Sequence, residues 1–116
     1  MSEKVKVVVV DDQNMARSFF ELYIQSSTNY ELVKALPSAE IAVEYVERHP
    51  VDLILMDVMM RYGMDGLTAA EIIKARHPEI RIILVTSMAE SLWEERARKI
   101  GVESFWYKEF SETPLL

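Results

Sequence analysis

Three short, largely apolar runs divide this sequence, and each run ends at a polar residue. Residues 5–10 are mostly valine and are followed by two aspartates. Residues 51–56 are followed by Asp57, and residues 80–85 are followed by Thr86. Strands that are apolar along their whole length are typical of parallel sheets with both faces covered. The three runs therefore predict a parallel sheet at the centre of the fold.

Apolar residues recur at helical spacing between these runs. Met15, Phe19 and Leu22 stand at positions i, i+4 and i+7, which predicts a helix that buries this stripe. Ser38 is a suitable N-cap for a second helix, which is expected to end before Pro50. The first two crossovers between strands are therefore expected to be helical.

Two more helices are predicted in the second half of the chain. Thr68 and Glu71 have the spacing of a capping box near the start of the third helix. Trp93, Ala97 and Ile100 form an apolar face of the fourth helix, which precedes a glycine suited to a left-handed C-cap. Helices thus continue to alternate with strands.

Two weaker strand patterns complete the prediction. Residues 30–36 are more polar and end at Pro37, as suits an edge strand, and residues 104–107 form the last strand. The alternation of five strands and four helices predicts one doubly wound α/β domain over residues 1–116. Residues 111–116 resemble the start of a helix without its remainder. We therefore expect the last helix, which would cover one face of the sheet, to be largely absent from this chain.

Composition excludes several classes of function. Thirteen lysine and arginine residues against nineteen aspartate and glutamate residues give a net charge of −6, so this segment is not expected to contact nucleic acid directly. There is no cysteine, which excludes disulfides and thiolate chemistry. No signal peptide and no apolar run of membrane-spanning length appear. We expect a soluble, cytoplasmic domain that does not associate with membranes.

Polar side chains collect at the predicted carboxyl ends of the strands, where open parallel sheets bind their ligands. Asp11, Asp12, Asp57, Thr86 and Lys108 each follow a predicted strand. Three neighbouring carboxylates repel one another unless a cation lies between them, and Mg²⁺ prefers oxygen ligands of this kind. Together with the lysine, a metal ion would suit a group with several anionic oxygens, most simply a phosphoryl group.

Five short motifs, in this order, carry a family resemblance. They are Val-Val-Val-Asp11-Asp12, Leu-Ile-Leu-Met-Asp57-Val-Met-Met, Met64-Asp65-Gly66-Leu67, Leu-Val-Thr86-Ser87 and Gly101-Val-Glu-Ser-Phe105-Trp-Tyr-Lys108. Together they resemble the receiver domain of two-component response regulators, over almost the whole chain. The resemblance implies a flavodoxin-like sheet with strand order 2-1-3-4-5.

The resemblance also implies a phosphorylation site and its metal ion. Asp57 would be the nucleophile that accepts a phosphoryl group from a phosphohistidine of a sensor histidine kinase. Asp11, Asp12, Asp57 and the backbone carbonyl of Met59 would hold Mg²⁺ or Mn²⁺. Such a domain is a signalling switch, and it is not an enzyme beyond catalysing its own phosphorylation and dephosphorylation.

Three further residues receive roles by the same resemblance. Lys108 would pair with the phosphoryl oxygens, and Thr86 would reorient to donate a hydrogen bond to one of them. Phe105 occupies the position of the family's switch aromatic. Phosphorylation would then change the surface formed by the fourth helix and fifth strand, and a homodimer would be one way to use that surface.

The sequence departs from the family pattern in two places. Arg61, Tyr62 and Gly63 occupy a loop where the family usually has a proline and one residue fewer, so Gly63 is expected to adopt a positive φ angle. Glu109 stands where a proline usually follows the conserved lysine. This second feature resembles the subgroup whose output domain is a LuxR-type helix-turn-helix.

Two other functions stay open at this level. A Mg²⁺-dependent phosphohydrolase with an aspartate nucleophile is one, although its common form needs a second aspartate where Gln13 stands. A non-phosphorylated adaptor of the same fold is the other. An adaptor would be expected to have lost one of the acids or the lysine, and the sequence retains all of them.

Overall fold

Helices and strands alternate along the part of the chain that the structure describes. The computed structural model describes residues 4–86 and 91–107, without the side chains of residues 91, 92 and 107. The strands are β1 (Val5–Val10), β2 (Tyr30–Leu36), β3 (Leu53–Asp57), β4 (Arg81–Thr86) and β5 (Ser104–Tyr107). The helices are α1 (Asn14–Gln25), α2 (Ala39–Arg48), α3 (Gly66–Arg76) and α4 (Ser91–Ile100). None of these helices combines the length and apolar character needed to cross a lipid bilayer.

The five strands form one parallel sheet with the order β2-β1-β3-β4-β5, which confirms the predicted doubly wound fold. In the register of the sheet, Val10 lies opposite Met56, and Asp57 lies opposite Val85. The carboxyl ends of β1, β3 and β4 therefore meet at one edge. The polar strand β2 is at the other side of β1, at the sheet margin, as predicted. The expectation about the last helix concerns residues that lie outside those described.

Two cores cover the two faces of the sheet. Because side chains alternate along a strand, Val7 and Val9 pack with Phe20 and Ile24 of α1 on one face. Val8 and other strand residues pack on the opposite face with apolar side chains from α2, α3 and α4. Strands buried on both faces explain why the central runs are apolar throughout rather than alternating.

The predicted buried face of α1 is wrong. Met15, Phe19 and Leu22 are 88%, 53% and 68% exposed, whereas Phe20 and Ile24 are buried. The helix carries two apolar stripes that are offset by one residue, or about 100° around the axis, so only one can face the sheet. The stripe of Phe20 and Ile24 reaches the valines of β1, and the predicted stripe remains in solvent.

The predicted helix starts are confirmed at α2 and corrected at α3. The Ser38 hydroxyl accepts a hydrogen bond from the Ile41 amide, as an N-cap does. In α3 the N-cap is Asp65, whose carboxylate accepts a 2.7 Å bond from the Thr68 amide. Thr68 is therefore the third helical residue and not the cap. The carboxylate at this end also suits the helix dipole.

Candidate functional site

Three carboxylates converge at the carboxyl edge of the sheet. Asp11 and Asp12 follow β1, and Asp57 is the last residue of the neighbouring β3. One oxygen from each carboxylate lies within 4.8 Å of the others. Asp11 and Asp57 are buried, and the Asp12 side chain is 15% exposed. The structure therefore brings together the three acids that the sequence pattern predicts to be neighbours.

Backbone contacts hold Asp11 in place. Its amide donates a 3.1 Å hydrogen bond to the Leu36 carbonyl of β2, and its carboxylate accepts a 2.9 Å bond from the Gln13 amide. The Arg17 guanidinium donates a 2.8 Å bond to the backbone carbonyl of Asp11. Neither Asp11 nor Asp12 is the cap of α1, because the N-cap residue is Gln13, and the side chain of Gln13 makes no capping hydrogen bond.

Asp12 is held from the loop that follows β3. Its Oδ2 accepts a 2.9 Å hydrogen bond from the Arg61 amide and a 3.2 Å ion-paired bond from Arg61 Nε. Partial burial acts to raise the pKa of Asp12, but the amide and guanidinium of Arg61 together lower this pKa below its ordinary value. Asp12 is therefore a stable anion, paired with a cation that the sequence pattern alone did not reveal.

The start of this loop is fixed to Asp57 by the backbone. The Val58 amide donates a 3.0 Å bond to the Val85 carbonyl, and the Gly66 amide donates a 3.1 Å bond to the Val58 carbonyl. A Cβ atom on Gly66 would stand 1.9 Å from the Asp57 carbonyl oxygen, which is far inside van der Waals contact. Only glycine allows α3 to begin this close to the acidic residue.

The outer part of the loop is held by α2. Gly63 has φ of +76°, which confirms the expected left-handed conformation. The Glu40 carboxylate lies beside Gly63 and accepts a 3.0 Å bond from the Met64 amide. Met59, in the inner part of the loop, has its side chain half exposed. The loop is thus fastened to Asp12 on one side and to Glu40 on the other.

Thr86 and Phe105 lie on the strands beyond β3. Thr86 is the last residue of β4 and is fully buried, one residue beyond the Val85 that pairs with Asp57. Phe105 is half buried on β5, with its ring packed edge-on against Trp93 of α4 at a centroid distance of 5.1 Å. Lys108, the predicted cationic member of the site, lies outside the described residues. The structure therefore supports the predicted placement of Thr86 at the acidic edge.

The donor set fits a small divalent cation. Three carboxylates from two adjacent strands supply hard oxygen ligands, and such ligands suit Mg²⁺ or Mn²⁺. Charge favours the same conclusion, because three negative groups this close repel one another in a partly buried place. A divalent ion would relieve that repulsion.

Comparison with protein families identifies the class of protein. The response regulator receiver domain family matches residues 7–116. The chain therefore belongs to this family, whose members are signalling domains of two-component systems rather than classical enzymes. Binding of Mg²⁺ at an acidic pocket and phosphorylation on aspartate are properties of the family, and the cluster of Asp11, Asp12 and Asp57 is such a pocket.

Individual relatives agree with the family. Response regulator protein VraR of Staphylococcus saprophyticus is 33% identical over 111 residues, which cover 96% of this chain and 53% of that protein. The solved signal receiver domain of the response regulator NarL from Mycobacterium tuberculosis is 27% identical, with a TM-score of 0.86 and coverage of 95% and 88%. A DNA-binding LuxR-family response regulator from Staphylococcus aureus has 25% identity, a TM-score of 0.84 and coverage of 92% and 88%. The chain spans about half the length of the curated relatives it matches.

Proposed function

We propose that this domain is a signalling switch in which Asp57 accepts a phosphoryl group from a phosphohistidine of a sensor histidine kinase. The observation that carries the proposal is the position of Asp57 at the end of the central strand β3. It has the acids of β1 on one side, within 4.8 Å, and Thr86 of β4 on the other. A phosphoryl group on Asp57 would thus lie between metal ligands and a hydroxyl donor.

The residue types suit transfer to a carboxylate. An oxygen of Asp57 attacks phosphorus, the P–N bond to the kinase histidine breaks, and its electron pair returns to the imidazole nitrogen. Asp11, Asp12, Asp57 and the Met59 carbonyl would hold Mg²⁺, which when bound offsets negative charge on the phosphoryl oxygens. Lys108 would pair with the same oxygens, and Thr86 would donate a hydrogen bond to one of them.

Labelling with a small phosphodonor tests the acceptor. The parent protein should gain one phosphoryl group from acetyl phosphate in the presence of Mg²⁺ and none in EDTA, as measured by intact mass spectrometry. Asp57→Asn should abolish the label. Asp65→Asn is the matched control, because asparagine also caps a helix well and the exposed acid at the start of α3 plays no part in transfer.

The same experiment separates the alternatives. A label retained in Asp57→Asn would overturn the assignment of the acceptor. An adaptor of the same fold would take up no label from the donor at all. A phosphohydrolase would turn over a broad set of phosphate esters and release inorganic phosphate continuously, whereas the proposed switch forms one equivalent of phosphoprotein.

We also propose how the phosphoryl group changes the surface. If the buried Thr86 turns toward the phosphoryl oxygens, it vacates space behind β4, and Phe105 on the next strand can fill it. Phe105 is suited to this because it is half buried and contacts α4 through Trp93 and Arg98, whose guanidinium carbon lies 6.0 Å from the ring centroid. Inward movement of the ring would change these α4 contacts.

Thr86→Ala tests this coupling in a protein that includes the expected last helix. The variant should still be labelled on Asp57, because the hydroxyl is not the nucleophile. It should lose any phosphorylation-dependent dimerisation that the parent shows in analytical ultracentrifugation. A Thr86→Ala protein that dimerises like the parent on phosphorylation would contradict the switch.

The output is proposed from the relatives. VraR is a response regulator, and the similar LuxR-family structure is described as DNA-binding. We therefore propose that the phosphorylation signal passes in the cytoplasm to a DNA-binding segment of the LuxR type. The net charge of −6 argues that such a segment, and not this domain, makes the nucleic acid contacts. A gel-shift assay tests this proposal. A protein that carries both this domain and the DNA-binding segment should bind specific DNA only when the domain is phosphorylated.

A further inference from the structure

We propose that Arg61 is an internal counter-ion of the acidic site and competes with the metal ion for Asp12. The inference rests on the proposed metal site and adds a residue to it. Arg61 is in the loop with the unusual sequence, 49 residues from Asp12 along the chain, yet its amide and its Nε both bond to Asp12 Oδ2. Its Nη2 also reaches the Asp12 backbone carbonyl at 3.5 Å.

The two bonds to Asp12 Oδ2 leave little room for a third partner. A carboxylate oxygen has two lone pairs, and Asp12 Oδ2 already accepts one bond from the Arg61 amide at 2.9 Å and one from Arg61 Nε at 3.2 Å. A Mg²⁺ ion bonded to Oδ2, at about 2.1 Å, would have to replace one of these two donors. The guanidinium is the partner that can leave, because repulsion between two cations favours its departure.

The surroundings allow this departure without rebuilding the loop. The Arg61 side chain is 65% exposed, so it can turn into solvent. Backbone bonds at Val58 and Gly66, and the bond from Met64 to Glu40, hold the rest of the loop in place. Metal binding would therefore exchange one cation for another at Asp12 while the loop backbone stays near its position.

Arg17 shows that a nearby positive charge is not sufficient for this role. Its guanidinium also lies beside the acidic site, but it bonds the backbone carbonyl of Asp11 and the Asn14 side chain. No carboxylate oxygen of the described acidic cluster is taken up by those two bonds. Arg17 and Arg61 therefore contribute equal charge to the site while differing in whether they occupy a metal ligand.

Metal affinity measured in the absence of phosphodonor tests the proposal. Mg²⁺ binding is followed by titration calorimetry, and Mn²⁺ binding by the loss of the electron paramagnetic resonance signal of the free ion. Arg61→Gln should bind either ion about fivefold more tightly than the parent, as expected for loss of one partly exposed ion pair. Arg17→Gln, the matched control, should change the affinity by less than about twofold, since it removes the same charge without freeing a carboxylate oxygen.

The outcomes separate this inference from the proposed function. Equal affinity in the parent and Arg61→Gln, or weaker binding in the variant, would overturn the role of Arg61 and leave the metal site intact. An equal gain in Arg17→Gln would also overturn it, because net charge would then explain the effect. Absence of binding in all three proteins would overturn the metal site itself, and with it the Mg²⁺ dependence proposed for phosphorylation.

Discussion

The two ends of the same parallel sheet handle charge in opposite ways. At the amino edge, charged side chains bind the backbone of neighbouring strands. The Asp52 carboxylate accepts a 2.9 Å bond from the Lys6 amide of β1, and the Glu103 carboxylate accepts a 2.7 Å bond from the Ile82 amide of β4. Each of these two carboxylates therefore joins two parts of the fold.

Lys74 of α3 is the centre of the amino edge. Its ammonium group donates to the carbonyls of Pro78 and Ile80 at 3.2 and 2.8 Å, and to the Glu103 carboxylate at 3.0 Å. The side chain is only 9% exposed. A lysine is buried in this way when all three of its donors find acceptors.

The carboxyl edge places three like charges together instead. Asp11, Asp12 and Asp57 share a small volume, and the described guanidinium that reaches one of their carboxylates, that of Arg61, is largely in solvent. Repulsion within such a group costs folding free energy, and the group suits the metal and phosphoryl site proposed above. One edge of this sheet thus uses charge to join strands, whereas the other keeps like charges together at the proposed metal and phosphoryl site, where we expect a cost in stability.

Loss of the central lysine of the amino edge should have the largest effect. Lys74→Met keeps an unbranched apolar stem but removes three hydrogen bonds and leaves the carbonyls of Pro78 and Ile80 and the Glu103 carboxylate without this donor. We expect the free energy of unfolding to fall by about 2 kcal/mol, measured by urea denaturation. Lys99→Met is the control. Lys99 is 78% exposed and its ion pair with Glu95 is long, at 3.9 Å, so this variant should change stability little. Equal effects of the two variants would show that the buried contacts of Lys74 contribute no more to stability than an exposed ion pair does.

Neutralising the carboxyl edge should act in the opposite direction. In EDTA, Asp57→Asn should raise the free energy of unfolding by about 1 kcal/mol, because it removes repulsion from two acids within 4.8 Å. Addition of Mg²⁺ should stabilise the parent more than the variant, since the ion binds the folded state. Asp65→Asn should be neutral in both conditions. A less stable Asp57→Asn protein in EDTA would show that the acidic edge does not cost stability.

The smallest effect concerns an exposed charge at the amino-edge side of α2. Glu47 accepts bonds from His77 Nε2 at 3.1 Å and Arg76 Nη1 at 3.3 Å, and His77 also faces Glu79. The hydrogen bond from His77, followed by that from Arg76, lowers the pKa of Glu47 below its ordinary value of 4.5. Because the pKa of Glu47 is lowered in the folded state, its bonds to His77 and Arg76 stabilise the fold above pH 4.5. This stabilisation is lost as the pH falls further.

Glu47→Gln should therefore be slightly less stable than the parent at pH 6, with a thermal midpoint that approaches the parent value as the pH falls toward 3. Glutamine imitates the protonated acid, so the two proteins become alike once Glu47 is neutral. Glu44→Gln on the same helix, whose partner Arg48 is 3.7 Å away and highly exposed, should show a smaller change. A difference that stays constant down to pH 3 would exclude titration of Glu47 as its source.

The sequence predicted the sheet better than the helix faces. Strands buried on both faces are readable from apolar runs, and the polar run ending at Pro37 was correctly placed at an edge. The predicted buried face of α1 was wrong because the helix has two apolar stripes, and both have helical spacing. Periodicity does not determine which of them packs against the sheet. The tertiary contact of Phe20 and Ile24 with the valines of β1 decides between them.

The predictions for the site divide in the same way, because residues at strand ends were predictable and a residue in the loop was not. Asp11, Asp12 and Asp57 were predictable because parallel strands bring their carboxyl ends to one edge. Arg61 was not, since its bond to Asp12 depends on the path of a loop, and the unusual length of that loop was the one available signal. The structure places these acids together, but the roles assigned to the site residues all stay predictions, including those of Asp57, Thr86, Phe105, Lys108 and Met59.

Gly66 brings the backbone of α3 into direct contact with the backbone of Asp57. Because Gly66 has no Cβ, the first turn of α3 lies directly against the carbonyl of Asp57. The Gly66 amide also donates a hydrogen bond to the carbonyl of Val58, the residue after Asp57. A shift of the Asp57 backbone by a fraction of an ångström has no soft side chain to absorb it. A displacement of the Asp57 backbone would therefore act directly on the first turn of α3.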